Sequence, residues 1–229
     1  MADSVVGKAR NMTKMNKDIL KAEQEKIEGK NLSDLDLKKI EGLYNKKIII
    51  PRKKNKVQIL LCPAGLVGAG KTTVVRPISD KLNLLRISTD EIRKILISKK
   101  FNLLRTTEIA SNLVVKYLKQ GYGIALDADC VSPSVQRDIK KLQKEYNVIP
   151  IWIHINPKEK FILNRLKSYN HTWLFKDEKD AVDNYKRRKP LHKKYLGDID
   201  FYSKFDTSKD NLNMQISEFV NKIEKDFNL

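Results

Sequence analysis

From residue 57 onward, five short apolar runs (57–62, 84–87, 123–126, 148–155 and 201–205) alternate with stretches whose apolar residues recur at helical spacing. No other feature constrains the fold as tightly. An apolar run without polar alternation reads as a strand covered on both faces, and strands separated by helices pair in parallel because the crossover needs that length of chain. The helical stretches are 71–82, 90–97, 107–120, 133–146, 157–167 and 214–227. The expectation is an α/β fold of three layers, a central parallel sheet between helices, with reactive groups at the carboxyl ends of the strands.

Before residue 57 the strand pattern is absent. One helix is expected over 13–27, and a second starts at Ser33, whose hydroxyl can cap it, with Leu35, Leu37, Ile40 and Leu43 along a stripe. The basic segment 46–56 reads as a connector. The chain therefore divides, on sequence, into a helical extension with a basic linker over 1–56 and a domain over 57–229 that should fold without the first 46 residues.

Composition narrows the partners. The net charge of +18 favours anionic ligands and leaves nucleic acid open, although lysines are spread along the whole chain among many Asn and Ile residues. The two cysteines, Cys62 and Cys130, have neither the spacing of a zinc site nor that of a disulfide framework, and Cys62 at the end of an apolar run reads as a small buried hydrophobe. No apolar run is long enough to span a membrane, and the first residues lack a secretory pattern. A cytoplasmic protein is expected.

Gly65-Leu66-Val67-Gly68-Ala69-Gly70-Lys71-Thr72 fits the pattern G-x-x-x-x-G-K-[ST], between the first apolar run and the first helical stretch. Glycines let successive backbone N–H groups turn toward phosphate oxygens, and the helix N-terminus adds its positive end. Lys71 can reach the β- and γ-phosphates of ATP, and the Thr72 hydroxyl can ligate Mg2+. Gly65, Gly68, Ala69, Gly70, Lys71, Thr72 and Thr73 form the expected nucleotide-binding set. Pro77 inside the following helix removes a backbone hydrogen bond, so a kink or a shifted helix start is expected.

The second run passes into Ser88-Thr89-Asp90-Glu91-Ile92-Arg93. Ser88 and Glu91 have capping-box spacing. Asp90, at a strand end facing the phosphate loop, could take the proton of an attacking hydroxyl, and Arg93 lies one turn on, on the same face. The third run is followed by Asp127-Ala128-Asp129, carboxylates expected near magnesium, with Asp129 alternatively facing the acceptor.

Together these elements, the glycine loop with Lys71 and Thr72, Ser-x-Asp-x-x-Arg, and a Gly-led strand ending in Asp, resemble the P-loop kinase group that holds polynucleotide 5′-hydroxyl kinases, zeta-toxin-like kinases and chloramphenicol phosphotransferase-like enzymes. The resemblance runs from about residue 57 to the end of the sequence. It implies an AAA-type ATP-binding domain, Asp90 as general base, Arg93 as a contact to acceptor or phosphate, and a lid over about 165–190 with Arg165 as its first arginine. Tyr169 stands where such kinases tend to carry a second, and Arg187 and Arg188 could supply that charge. Arg137 resembles a recurrent arginine of the group, and Asp206-Thr207-Ser208 a loop beside the adenine. His171, Trp173 and Phe175 could pack the lid or stack a base, while His154 reads as a core histidine and His192 has no evident partner. The expected activity is transfer of the γ-phosphate of Mg-ATP to a hydroxyl of a nucleotide, polynucleotide end, nucleotide sugar or small metabolite. The alternative is a nucleotide-dependent switch or nucleic-acid-binding NTPase without a small acceptor.

Overall fold

A computed structural model describes residues 29–168, 174–197 and 199–229. The helix expected over 13–27, and His171 and Trp173, lie outside the described residues. Five parallel strands, β1 (Ile59–Ala64), β2 (Leu85–Ser88), β3 (Ile124–Asp127), β4 (Ile149–Ile155) and β5 (Ser203–Phe205), form one sheet in the order β2-β3-β1-β4-β5. The helices are α1 (Asp34–Asn45), α2 (Lys71–Lys81), α3 (Thr89–Ser98), α4 (Thr106–Lys119), α5 (Pro133–Tyr146), α6 (Glu159–Lys167), α7 (Glu178–Tyr195) and α8 (Leu212–Phe227).

The central strand shows why its apolar run does not alternate. Ile59 and Leu61 point into the core beneath α2, α6, α7 and α8, whereas Leu60 and Cys62 point into the core shared by α1, α3, α4 and α5. Both faces are covered, as an all-parallel sheet requires. In register, Ser88 stands opposite Asp127. The polar ends of β2 and β3 therefore emerge side by side at the carboxyl edge of the sheet.

Two expectations are corrected. Pro77 does not shift the start of its helix, because α2 begins at Lys71 and runs through it. The segment expected to be an appendage is part of the core over 29–45. Leu37, Ile40 and Tyr44 of α1, with Leu32 before it, are buried against α3 and α4, and Ser33 caps the helix by accepting from Asp36 N at 3.1 Å. The stripe that faces inward is 37, 40 and 44, while Leu35 is 66% exposed.

Tyr44 carries this packing to the edge of the sheet. Its hydroxyl accepts a 2.7 Å hydrogen bond from the Ser88 N–H, at the residue where β2 turns into α3, and burial pushes its own ionisation up to about 12. Tyr44→Phe keeps the ring and orphans that buried N–H. The expected loss is about 1–3 kcal/mol of unfolding free energy, read by urea denaturation, with little change in the slope.

α7 is a helix that the hydrophobic pattern did not reveal. Asp177 caps it by accepting from Asp180 N at 2.8 Å, and only Ala181, Asn184, Tyr185 and His192 of its 18 residues are buried. Most of the rest is charged, and Pro190 lies inside.

Candidate active site

The glycine loop joins β1 to α2 and its backbone dictates its glycines. Gly68 has φ +81° and Gly70 φ +89°, both left-handed, with Gly70 at the N-cap of α2. A Cβ on Gly65 would stand 2.9 Å from the Ile155 carbonyl oxygen of β4, so that position is closed to side chains for a different reason. Lys71 folds back over the loop and donates to the Gly65 and Leu66 carbonyl oxygens at 2.8 and 3.2 Å.

Three neighbours hold the loop. Thr207 donates its hydroxyl to the Ala69 carbonyl at 2.7 Å, and one Arg165 guanidinium nitrogen lies 3.0 Å from where a Gly70 Cβ would stand. Thus α6 and the loop after β5 both reach the cradle. The third neighbour is Asp129, whose Oδ1 accepts from the Gly65 N–H at 3.1 Å and lies 3.3 Å from His192 Nε2. Burial pushes the Asp129 carboxyl up, but His192, Lys71 and the Gly65 N–H together hold it below the usual carboxylate value.

Asp127 is bound on both oxygens. Thr72 Oγ1 donates to Oδ1 at 3.0 Å, and Arg86 donates to Oδ2 at 2.6 Å. Burial raises the carboxyl above its ordinary value, opposed first by the Arg86 charge and then by Thr72. Arg86 also grips Glu91, so the capping-box side chain is used for an ion pair instead of the Ser88 N–H. Ser88 still caps α3, accepting from Glu91 N at 3.4 Å. Sequence reasoning missed Arg86. Its signal was a lone charge inside an apolar strand, Leu85-Arg86-Ile87, with its Asp127 partner 41 positions away.

A cavity of about 510 Å³ brings most of the expected residues together: Gly65, Gly68, Gly70, Lys71, Thr72 and Thr73 on one wall, Asp90 and Arg93 on another, with Asp127, Asp129, Arg165 and Arg188 between. Asp90 and Arg93 form an ion pair at 2.7 Å. Phe175 also lines it. Ala69 does not, being buried beneath the loop, and neither Arg137 nor Arg187 contributes to the lining; Asp138 does instead. His154 is half-buried and stacked on Phe201 at 4.9 Å, its ionisation lowered by burial. Cys62 and Cys130 are both buried, and the neighbouring Cys62 together with burial pushes the Cys130 thiol up.

The donor set suits a hard, oxygen-preferring cation that keeps most of its water and substrate ligands. Thr72 and Asp127 offer two adjacent oxygens, and no three His, Cys, Asp or Glu side chains cluster as a metal cage among the described residues. No helix among those residues is long and apolar enough to cross a membrane.

A family model described as AAA domain matches residues 60–188, a span that runs from β1 into α7. No curated protein matches the sequence. Many solved structures match the chain, and two of them show the shared fold. One, from work on the PezAT chromosomal toxin-antitoxin system of Streptococcus pneumoniae, is 16% identical with a TM-score of 0.52, over 84% of this chain and 97% of that one. The other, a provisionally assigned kinase of Chloroflexus aurantiacus, is 14% identical with a TM-score of 0.57, over 74% of this chain and 98% of that one. None of the three kinase groups that the sequence motifs resemble is singled out by these matches.

Proposed function

Because this chain belongs to the AAA domain family, its phosphate loop can be read as part of a nucleotide site, and we propose that the protein transfers the γ-phosphate of Mg-ATP to the hydroxyl of a small acceptor. The observation that carries the reading is Asp90, which faces the same cavity as Lys71 and the loop glycines. A switch protein needs no carboxylate there.

The loop N–H groups and the N-terminus of α2 bind the phosphates, and Lys71 leaves the Gly65 and Leu66 carbonyls to sit on the β- and γ-oxygens. Thr72 and Asp127 would hold magnesium, whose positive charge would offset that of the phosphates. Arg86 favours the ionised form of the Asp127 carboxylate against the effect of burial and orients it. Asp90 accepts the proton of the acceptor hydroxyl as its oxygen bonds to the γ-phosphorus and the bond from that phosphorus to the β-bridging oxygen breaks, leaving ADP. Arg93 orients Asp90 and, with Arg165 beside Gly70, offsets charge on the transferred group.

Asp129 takes a different role from the metal ligand expected on sequence. Its Oδ1 is already engaged by the Gly65 N–H and His192, which suits a residue that positions the loop. Asp129→Ala is accordingly expected to weaken ATP binding about tenfold, the scale of one hydrogen bond to a charged group, without moving the Mg2+ concentration for half-maximal activity. A shifted magnesium midpoint would return Asp129 to the metal.

The function itself is tested by ATP turnover with labelled γ-phosphate. Turnover should be slow alone and rise severalfold with an acceptor alcohol, label appearing on that alcohol. Acceptor-independent turnover that rises with nucleic acid would favour the NTPase reading.

A further inference from the structure

The cavity continues past the phosphate end into a compartment between α4 and α5. Its walls there are Ala110 and Val114 of α4, Leu126 of β3, and Val135, Ile139 and Leu142 of α5. The spacing explains the surface. Positions 110 and 114, and 135, 139 and 142, each fall on one helical stripe, and the two stripes face a common space. α5 is otherwise polar, with Ile139 its one buried residue; Val135 and Leu142 are only partly covered by protein. Apolar surface left open inside a cavity is the mark of a ligand with an apolar body.

The charges are distributed unevenly. Lys71, Arg76, Arg86 and Arg165 belong to the phosphate end, and Arg188 of α7 lines the cavity between that end and Asp90. In the compartment, Thr107 and Ser111 offer hydroxyls from α4 and Asp138 a carboxylate from α5. Arg93 and Lys94 of α3 also line the cavity, Arg93 paired with Asp90 at 2.7 Å. An anion drawn into this compartment would lose hydration against apolar walls and meet the Asp138 carboxylate.

We infer that the acceptor is a small amphipathic alcohol without negative charge: its apolar body lies between α4 and α5, its hydroxyl points to Asp90, and a hydrogen-bond donor on it, an amine or amide, meets Asp138. This rests on the phosphotransferase reading above and replaces the anionic acceptor that the +18 charge favoured. The excess charge then belongs to the exterior and the phosphate end.

Binding, not transfer, tests the inference, so that its failure is separable from failure of the kinase reading. With full-length protein and Mg-ADP, saturation-transfer NMR is recorded for phenylalaninol, for 3-phenyllactate as its anionic counterpart, for a uridine diphosphate sugar and for a 5′-hydroxyl oligonucleotide. Phenylalaninol should bind at least tenfold more tightly than the other three, and Val135→Glu and Leu142→Glu should each weaken it at least tenfold while Mg-ATP still raises the melting temperature as in the unaltered chain. Asp138→Asn should weaken phenylalaninol and relieve the penalty on 3-phenyllactate. Preferred binding of any anionic probe, no binding of phenylalaninol, or phenylalaninol binding indifferent to both glutamate variants overturns the inference. Bound phenylalaninol that never acquires label from ATP would leave the acceptor class standing and sink the transferase reading.

Discussion

Asp90→Asn is expected to leave Mg-ATP affinity near that of the unaltered chain and to slow phosphate transfer by about 10²–10⁴-fold, the loss typical of a missing general base. The substitution preserves size, and the amide oxygen can still accept from Arg93, which now approaches Asp90 at 2.7 Å. What disappears is the ability to take a proton. Lys71→Ala makes the contrast, because its ammonium group lies among the loop's own carbonyls, and its loss should damage ATP affinity and rate together. Pre-steady-state transfer rates and ATP titrations on both variants separate the two. If Asp90→Asn weakened Mg-ATP binding as much as it slowed transfer, Asp90 would belong to the metal site. An unchanged rate would leave the Asp-x-x-Arg element as a helix start with no chemical part.

The residues of this contrast were legible in sequence because local chemistry specifies them. Glycines at the left-handed Gly68 and Gly70, and a carboxylate just past a strand end, are short-range signals. Strand boundaries were legible in their cores and blurred at the functional edge. β2 was expected to end at Ile87 and β3 at Leu126, yet Ser88 and Asp127 still pair in the sheet. Hydrophobicity cannot mark such residues, since their side chains serve the site. Contacts across the fold were not legible at all. Arg86 meets Asp127, and Asp129 meets Gly65, because β2, β3 and β1 are neighbours in the sheet, while His192 reaches Asp129 from α7 and Thr207 reaches Ala69 from the loop after β5. α7 escaped for another reason: its buried face is narrow and half polar, Asn184 and His192 among it.

The same limit decides the second large effect. Sequence alone set residues 1–46 apart, since a helix of alternating charge and scattered apolar residues reads equally as appendage or as core. The structure buries Leu32, Leu37, Ile40 and Tyr44 against α3 and α4 and ties Tyr44 to the Ser88 N–H. Each aliphatic side chain contributes about 1.5–3 kcal/mol by burial, and Tyr44 about 3–5 on the scale of an aromatic deleted from a core. Together these reach the size of the roughly 5–15 kcal/mol that holds a domain folded. Deleting residues 1–46 should therefore abolish the cooperative thermal transition or lower it so far that the chain aggregates, and saturating Mg-ATP should not restore it. The deletion also uncovers Ile92, Ile95 and Leu96 of α3, the helix that carries Asp90 in its first turn, so any residual folded fraction should lose transfer before it loses nucleotide binding. A truncated chain that melts cooperatively and is stabilised by Mg-ATP like the full-length protein would show that α1 covers the core without being needed for it.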